Sequence, residues 1–217
     1  MYPMNVSDVR SILRNGIWDE GMFLDRLRSP EGKGFKLALH KKYPDKPLSP
    51  FYLNLRFMQS FPRLMDVAAG LLDRITQESS YDRIAGIPFA GVPIATALSL
   101  ETRTPMITPR TEKKDHGVEN VIDGKWNPGE RVLLIDDLIT GADSKFGAIE
   151  ILEGVGLVVS DLAVIVDREQ GGRRELESRN YNLHSIFKIT EMLEDYRQDG
   201  RLTEEVYQEI QAYRAAA

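Results

Sequence analysis

The run Val132-Leu133-Leu134-Ile135 constrains the fold more than any other stretch of the chain. Four consecutive apolar residues with no polar alternation suit a strand buried on both faces, which needs a covering layer above and below. Asp161 to Val166 reads as a second strand of this kind, and Ile84 to Ile87, Pro105 to Thr108 and Leu183 to Ile189 read as shorter ones. Helical stretches separate them, one from Pro93 to about Leu100 and another after Ser144 that runs to about Glu153, where Gly154 and Gly156 stop it. Strands alternating with helices of this length make an α/β fold on a parallel sheet. Chemistry in such sheets collects at the carboxyl ends of the strands. Three segments fall there: Phe89-Ala90-Gly91, Asp136 to Ser144 and Arg168 to Gly172.

The first sixty residues read differently. Ser7-Asp8 suits the start of a helix through Leu13 that ends at Gly16, and Trp18-Asp19-Glu20 suits the start of a second that brings Phe23 and Leu24 to one side. A loop-rich stretch with Pro30, Gly32, Gly34, Pro44, Pro47 and Pro50 follows, made locally basic by Lys33, Lys36, Lys41, Lys42 and Lys46. Phe51 to Leu55 reads as a short strand, and Pro62 opens a helix with Leu64, Val67, Ala68, Leu71, Leu72 and Ile75 on one face.

Composition excludes several function classes. The 217 residues suit one large domain, or one domain with a small appendage. There is no cysteine, which removes disulfide scaffolds, zinc ribbons, thiol nucleophiles and iron–sulfur sites together. A net charge of −5 speaks against a nucleic-acid partner. The longest apolar runs, such as Leu162 to Val166, are far short of the ~20 residues a membrane span needs. Residues 1–8 lack the basic flank and apolar core of a secretory signal. The expectation is a soluble cytoplasmic protein.

The segment Asp136-Asp137-Leu138-Ile139-Thr140-Gly141-Ala142-Asp143-Ser144 carries the strongest chemical signal. Carboxylates at a strand end accept hydrogen bonds from a sugar diol or hold a hydrated Mg²⁺. A helix N-terminus preceded by Thr, Gly and Ser offers free N–H groups to a phosphate. The two together describe a sugar-phosphate site.

This segment resembles the phosphoribosyl-diphosphate signature of the type I phosphoribosyltransferases. Pro109 to Gly117 is similar to the catalytic loop of the orotate branch of that family. Gly86 to Thr96, Leu48 to Arg56 and Asp167-Arg168-Glu169-Gln170-Gly171-Gly172 resemble segments of orotate enzymes of the UMP-synthase type. The five matches occur in the family's own order, from roughly Phe35 onwards. The resemblance implies a Rossmann-like parallel sheet flanked by helices, in a single domain over residues 1–217. Residues 1–60 would form mainly N-terminal helices and a hood, and residues 81–190 the core sheet. It implies transfer of a phosphoribosyl group from phosphoribosyl diphosphate to orotate, in pyrimidine synthesis, with Mg²⁺ carried by the substrate diphosphate and touching Asp136 and Asp137. It also implies a homodimer whose catalytic loops reach the neighbouring site. With no second barrel domain in 217 residues, any decarboxylase is expected on a separate chain.

On that resemblance, Asp136 and Asp137 hold the ribose hydroxyls, and Arg110, Lys114 and His116 neutralise the departing diphosphate. Leu138 to Ser144 surround the 5′-phosphate, and Thr140 also faces the base. Arg168 grips the orotate carboxylate, Phe51 or Tyr52 stacks on the base, and Lys46, or else Lys41 or Lys42, attracts the anionic substrates. The phosphate loop departs from the family pattern at Ala142 and Asp143. Ala142 is tolerated where φ is negative and costly where it is positive. Asp143 sets a carboxylate where a phosphate approaches, unless it turns away to cap the next helix. With Thr111 in place of a usual lysine, Asp143 motivates one alternative, a weakened, nucleotide- or phosphoribosyl-diphosphate-binding regulator on the same fold. Transfer to another base is a separate alternative, against which Arg168 argues.

Overall fold

The computed structural model describes residues 5–30, 32–37, 40, 44–110 and 121–215. Its centre is a six-stranded sheet of β3 (Arg83–Gly86), β4 (Met106–Pro109), β5 (Ile122–Asp123), β6 (Arg131–Ile139), β7 (Val158–Asp167) and β8 (Asn182–Lys188), in the order β5-β4-β3-β6-β7-β8. The pairs β3–β4, β3–β6, β6–β7 and β7–β8 are parallel, and the edge strand β5 is antiparallel to β4.

The apolar runs are buried on both faces, as their lack of alternation requires. Leu133, Ile135, Ala163 and Ile165 point into one core, and Val132, Leu134, Leu162 and Val164 into a second. The first core is covered by α1 (Val6–Asp19), α2 (Pro62–Ile75), α3 (Gly91–Thr102), α6 (Ile189–Gln198) and α7 (Glu204–Ala215). The second is covered by α4 (Asp143–Gly154) and α5 (Gly172–Glu177).

The N-terminal part differs from the sequence expectation. One helix, α1, runs through Gly16, and Phe23 lies in the short strand β1 (Phe23–Asp25), which pairs antiparallel with β2 (Phe51–Leu53). Gly16 is a packing residue: a Cβ there would lie 2.5 Å from Leu64 Cδ2 of α2. Leu55 to Ser60 forms a 3-10 helix rather than extending β2. This part shares its core with the end of the chain. Trp18 packs on Tyr196 of α6 with ring centroids 4.8 Å apart, and Phe23 on the same ring at 5.2 Å. The Tyr196 hydroxyl donates to the Arg14 carbonyl at 2.8 Å. Arg26 pairs with Glu205 and Glu209 of α7.

The strand order reverses between β3 and β6. From β3 the chain builds outwards to β4 and β5, and then returns to lay β6 on the other side. Such a switch point leaves a crevice at the carboxyl ends of the strands.

Candidate active site

β6 is longer than its apolar run suggests, because Asp136 to Ile139 continue the strand. Pairing with β3 stops at Ile135, opposite Gly86, while pairing with β7 continues to Ile139, opposite Asp167. The acid pair therefore lies one step past the point where β3 falls away, inside a strand still held on its other side.

The two acids have different surroundings. Asp136 is 8% exposed, and its Oδ2 accepts from Lys145 Nζ at 2.8 Å. Lys145 is 5% exposed and also donates to the Leu138 carbonyl at 2.9 Å and Ser144 Oγ at 3.3 Å. Asp137 makes no ion pair among the described residues. Burial, and then the like charge of Asp136, push its carboxyl up to about 7. The pair thus holds one carboxylate bonded to a buried lysine and one whose charge depends on pH or on an incoming partner. Lys145 was not singled out in the sequence. Its signal is its place on the buried stripe Lys145, Ala148, Ile149 and Leu152 of α4.

The loop between β6 and α4 is tied down by its carbonyls. Ile139 O accepts from the Arg168 N–H at 3.0 Å, and Thr140 O from the Gly172 N–H at 2.8 Å. A side chain at residue 172 would lie 2.6 Å from the Thr140 carbonyl, so this approach requires glycine. Ala142 has φ of −101° and a fully buried methyl group, which settles it on the tolerated side of the expectation. Asp143 is exposed, and its carboxylate makes no hydrogen bond or ion pair among the described residues, so the expected helix cap is not formed. A different acid reaches the loop: Glu175 Oε2 of α5 accepts from the Ala142 N–H at 2.8 Å.

Arg168 follows β7 and is 6% exposed. Its Nε and Nη2 are buried with no hydrogen-bond partner among the described residues, as is Oε1 of Gln170. Burial lowers the guanidinium pKa to about 10, with Tyr213 and Tyr52 favouring the charge and Arg214 opposing it. The guanidinium lies over the Phe51 ring, 4.7 Å from its centroid. Phe51 is 0% exposed, so it carries Arg168 and has no face left for a base, which corrects that half of the stacking expectation. Tyr52 is half-buried and stacks on Phe35 at 5.6 Å. Lys46 is exposed on the turn after Pro44.

Arg110 follows β4 and binds Asp123 through Nε at 2.8 Å. It lines a cavity of about 620 Å³ with Arg56, Pro88, Phe89 and Ala90. The acid pair is not among the residues lining that cavity. Lys114, His116, Thr111, Lys41 and Lys42 lie outside the described residues.

No protein-family model matches the chain. It is similar to the orotate phosphoribosyltransferase of Saccharolobus solfataricus, 35% identical over 167 residues that cover 76% of this chain and 84% of the relative. It is 34% identical to the uridine 5′-monophosphate synthase of Bos taurus over 76% of this chain, but spans only 35% of that protein. The solved structure of Leishmania donovani UMP synthase matches with a TM-score of 0.81 and 28% identity, covering 95% of this chain and 42% of that one. Five motifs in family order, a switch-point acid pair, a tethered loop and an unpartnered buried arginine all agree with these likenesses: the chain belongs to the orotate phosphoribosyltransferase family.

Proposed function

We propose that this protein transfers the 5-phosphoribosyl group from phosphoribosyl diphosphate to orotate, giving orotidine 5′-monophosphate and diphosphate in pyrimidine nucleotide synthesis. The observation that carries this reading is Arg168. Two of its N–H-bearing nitrogens are buried without partners among the described residues, and leaving such groups unmet costs about 1–3 kcal/mol or more. A planar carboxylate on the base meets both through a two-pronged pair, which favours orotate over an uncharged base.

The other residues take roles that suit this chemistry. Asp137, poised near neutrality, accepts from the ribose hydroxyls, and Asp136 beside it supplies a second carboxylate held by Lys145. Both favour the positive ribose that forms as diphosphate leaves. The N–H groups of Gly141, Asp143 and Ser144 bind the 5′-phosphate at the start of α4, beside the Ala142 N–H that Glu175 takes. Arg110, Lys114 and His116 face the diphosphate, Thr140 and Tyr52 the base, and Lys46 the approach of both anions. Mg²⁺ fits this donor set, since it is held mainly by substrate phosphates with one or two carboxylates, here Asp136 and Asp137. Bound there, it neutralises charge on the leaving diphosphate. The reading extends to one domain over residues 1–217, a hood from residues 1–60, a homodimer sharing its catalytic loops, and a cytoplasmic location.

A second reading has an observation of its own. Glu175 takes an N–H of the phosphate loop and Asp143 stands free beside it, as a weakened, ligand-binding regulator would require. One assay separates the two: orotate absorbance followed with Mg²⁺ after addition of phosphoribosyl diphosphate. The expected result is Mg²⁺-dependent consumption, with Arg168→Lys lowering kcat/KM for orotate about 100-fold. Absence of turnover together with measurable phosphate binding favours the regulator.

A further inference from the structure

Arg168 is aimed by an unusual turn. Asp167, 2% exposed, ends β7, and its carboxylate binds the Glu169 N–H at 2.8 Å and Arg173 Nε at 2.8 Å. Between these fixed points the chain turns sharply, and Glu169 takes φ of 55°, in the left-handed region. For a residue with a side chain that conformation is strained, so something must hold it there.

The Glu169 carboxylate supplies the hold. Its Oε2 accepts from the Thr190 N–H at 3.0 Å, from Thr190 Oγ1 at 2.6 Å and from Arg214 Nη2 at 3.1 Å. The Thr190 N–H belongs to the first turn of α6, where unpaired donors and the helix dipole favour a carboxylate. Arg214 comes from the far end of α7, which is anchored in the core by Val206 and Ile210. Its side chain is only 11% exposed, so it is an inward-facing cation rather than a loose surface arginine. The result is a chain of contacts from α7 through Glu169 to the residue beside it, Arg168.

We propose that Arg214 is a positioning residue of the base site: by holding Glu169 in its left-handed conformation, it aims Arg168 at the carboxylate of the base. This rests on the orotate reading above. A purely structural tie would affect stability and both substrates alike, whereas a positioning residue acts on the base alone.

The test is steady-state kinetics on Arg214→Ala, Arg214→Lys and Glu169→Gly, with melting curves and orotate calorimetry on each. Arg214→Ala should raise KM for orotate about ten-fold. KM for phosphoribosyl diphosphate should stay within about two-fold, because that site shares no contact with Arg214. Lysine keeps the charge and one donor, so Arg214→Lys should restore much of the orotate KM. Glycine relieves the backbone at residue 169 but removes the carboxylate that pairs with Arg214, so Glu169→Gly should melt somewhat lower than the wild type and raise the orotate KM. That variant keeps the test open if Arg214→Ala does not fold. An unchanged orotate KM in Glu169→Gly, or both KM values rising together, overturns the role of Arg214 while leaving the orotate reading intact. A wild-type protein that neither binds nor consumes orotate overturns the reading itself, and this role with it.

Discussion

The residues that decide the site are those whose charge cannot be read from type alone. Asp136 and Asp137 are adjacent and chemically identical, but Asp136 is bonded to a buried lysine, while burial and the neighbouring acid push Asp137 up to about 7. Removing one partner of a buried pair leaves the other charge stranded, so Lys145→Met should cost about 3–5 kcal/mol. For a chain of this size the melting point should fall by roughly 10 °C or more. The double variant Asp136→Asn with Lys145→Met should recover most of that loss in thermal denaturation, because no buried charge remains. Glu175 makes the opposite kind of prediction. Its carboxylate occupies an N–H in the loop where a phosphate would bind. Glu175→Gln keeps the hydrogen bond and removes the charge, so inorganic phosphate should bind about 2–5-fold tighter at low salt by calorimetry. Weaker binding would make Glu175 a brace for the loop rather than a competitor. The sequence pointed to an extra acid at this loop, and the structure shows two: Asp143, exposed beside it, and Glu175, bonded to it from 33 residues further along.

At the scale of elements, the sheet was legible where burial is two-sided. An unbroken apolar run can only sit between two layers, and both such runs became central strands. The helix opened by Pro62 was legible for a similar reason, since one apolar face at helical spacing has few alternatives. The misreadings lie where tertiary packing overrides local signals. Gly16 looked like a helix stop, yet it is a contact point between α1 and α2, and Gly16→Val should cost about 1–3 kcal/mol in urea denaturation through overpacking against Leu64. The acids at residues 136 and 137 looked like the end of a strand, yet β7 continues the pairing beside them and keeps them extended. Phe51 looked like a stacking face, but it lies under Arg168.

At the scale of the molecule, stability and site are linked through pH. Hydrogen bonds from Arg83 and Arg197 hold Glu130 and Glu194 down at about 2, so their contribution is present above an unfolded value of 4.5 and is lost as pH falls through about 2. Asp137 works in the other direction. Its folded value of about 7 exceeds its unfolded 3.8, so the native state binds the extra proton and stability falls as pH rises through that window. Stability should therefore peak near about pH 5 and decline towards pH 7, and Asp137→Asn should flatten that decline in melting curves. The sequence by itself determined the layered α/β architecture and the order of the family motifs, because strand burial, helical spacing and motif order are local properties of the chain. Only the tertiary structure decided which acid is paired, which acid enters the phosphate loop, and how the last helix reaches the turn that carries Arg168. Each of those depends on contacts between residues far apart in sequence, where burial and an available partner, rather than residue type, set the charge and direction of a side chain.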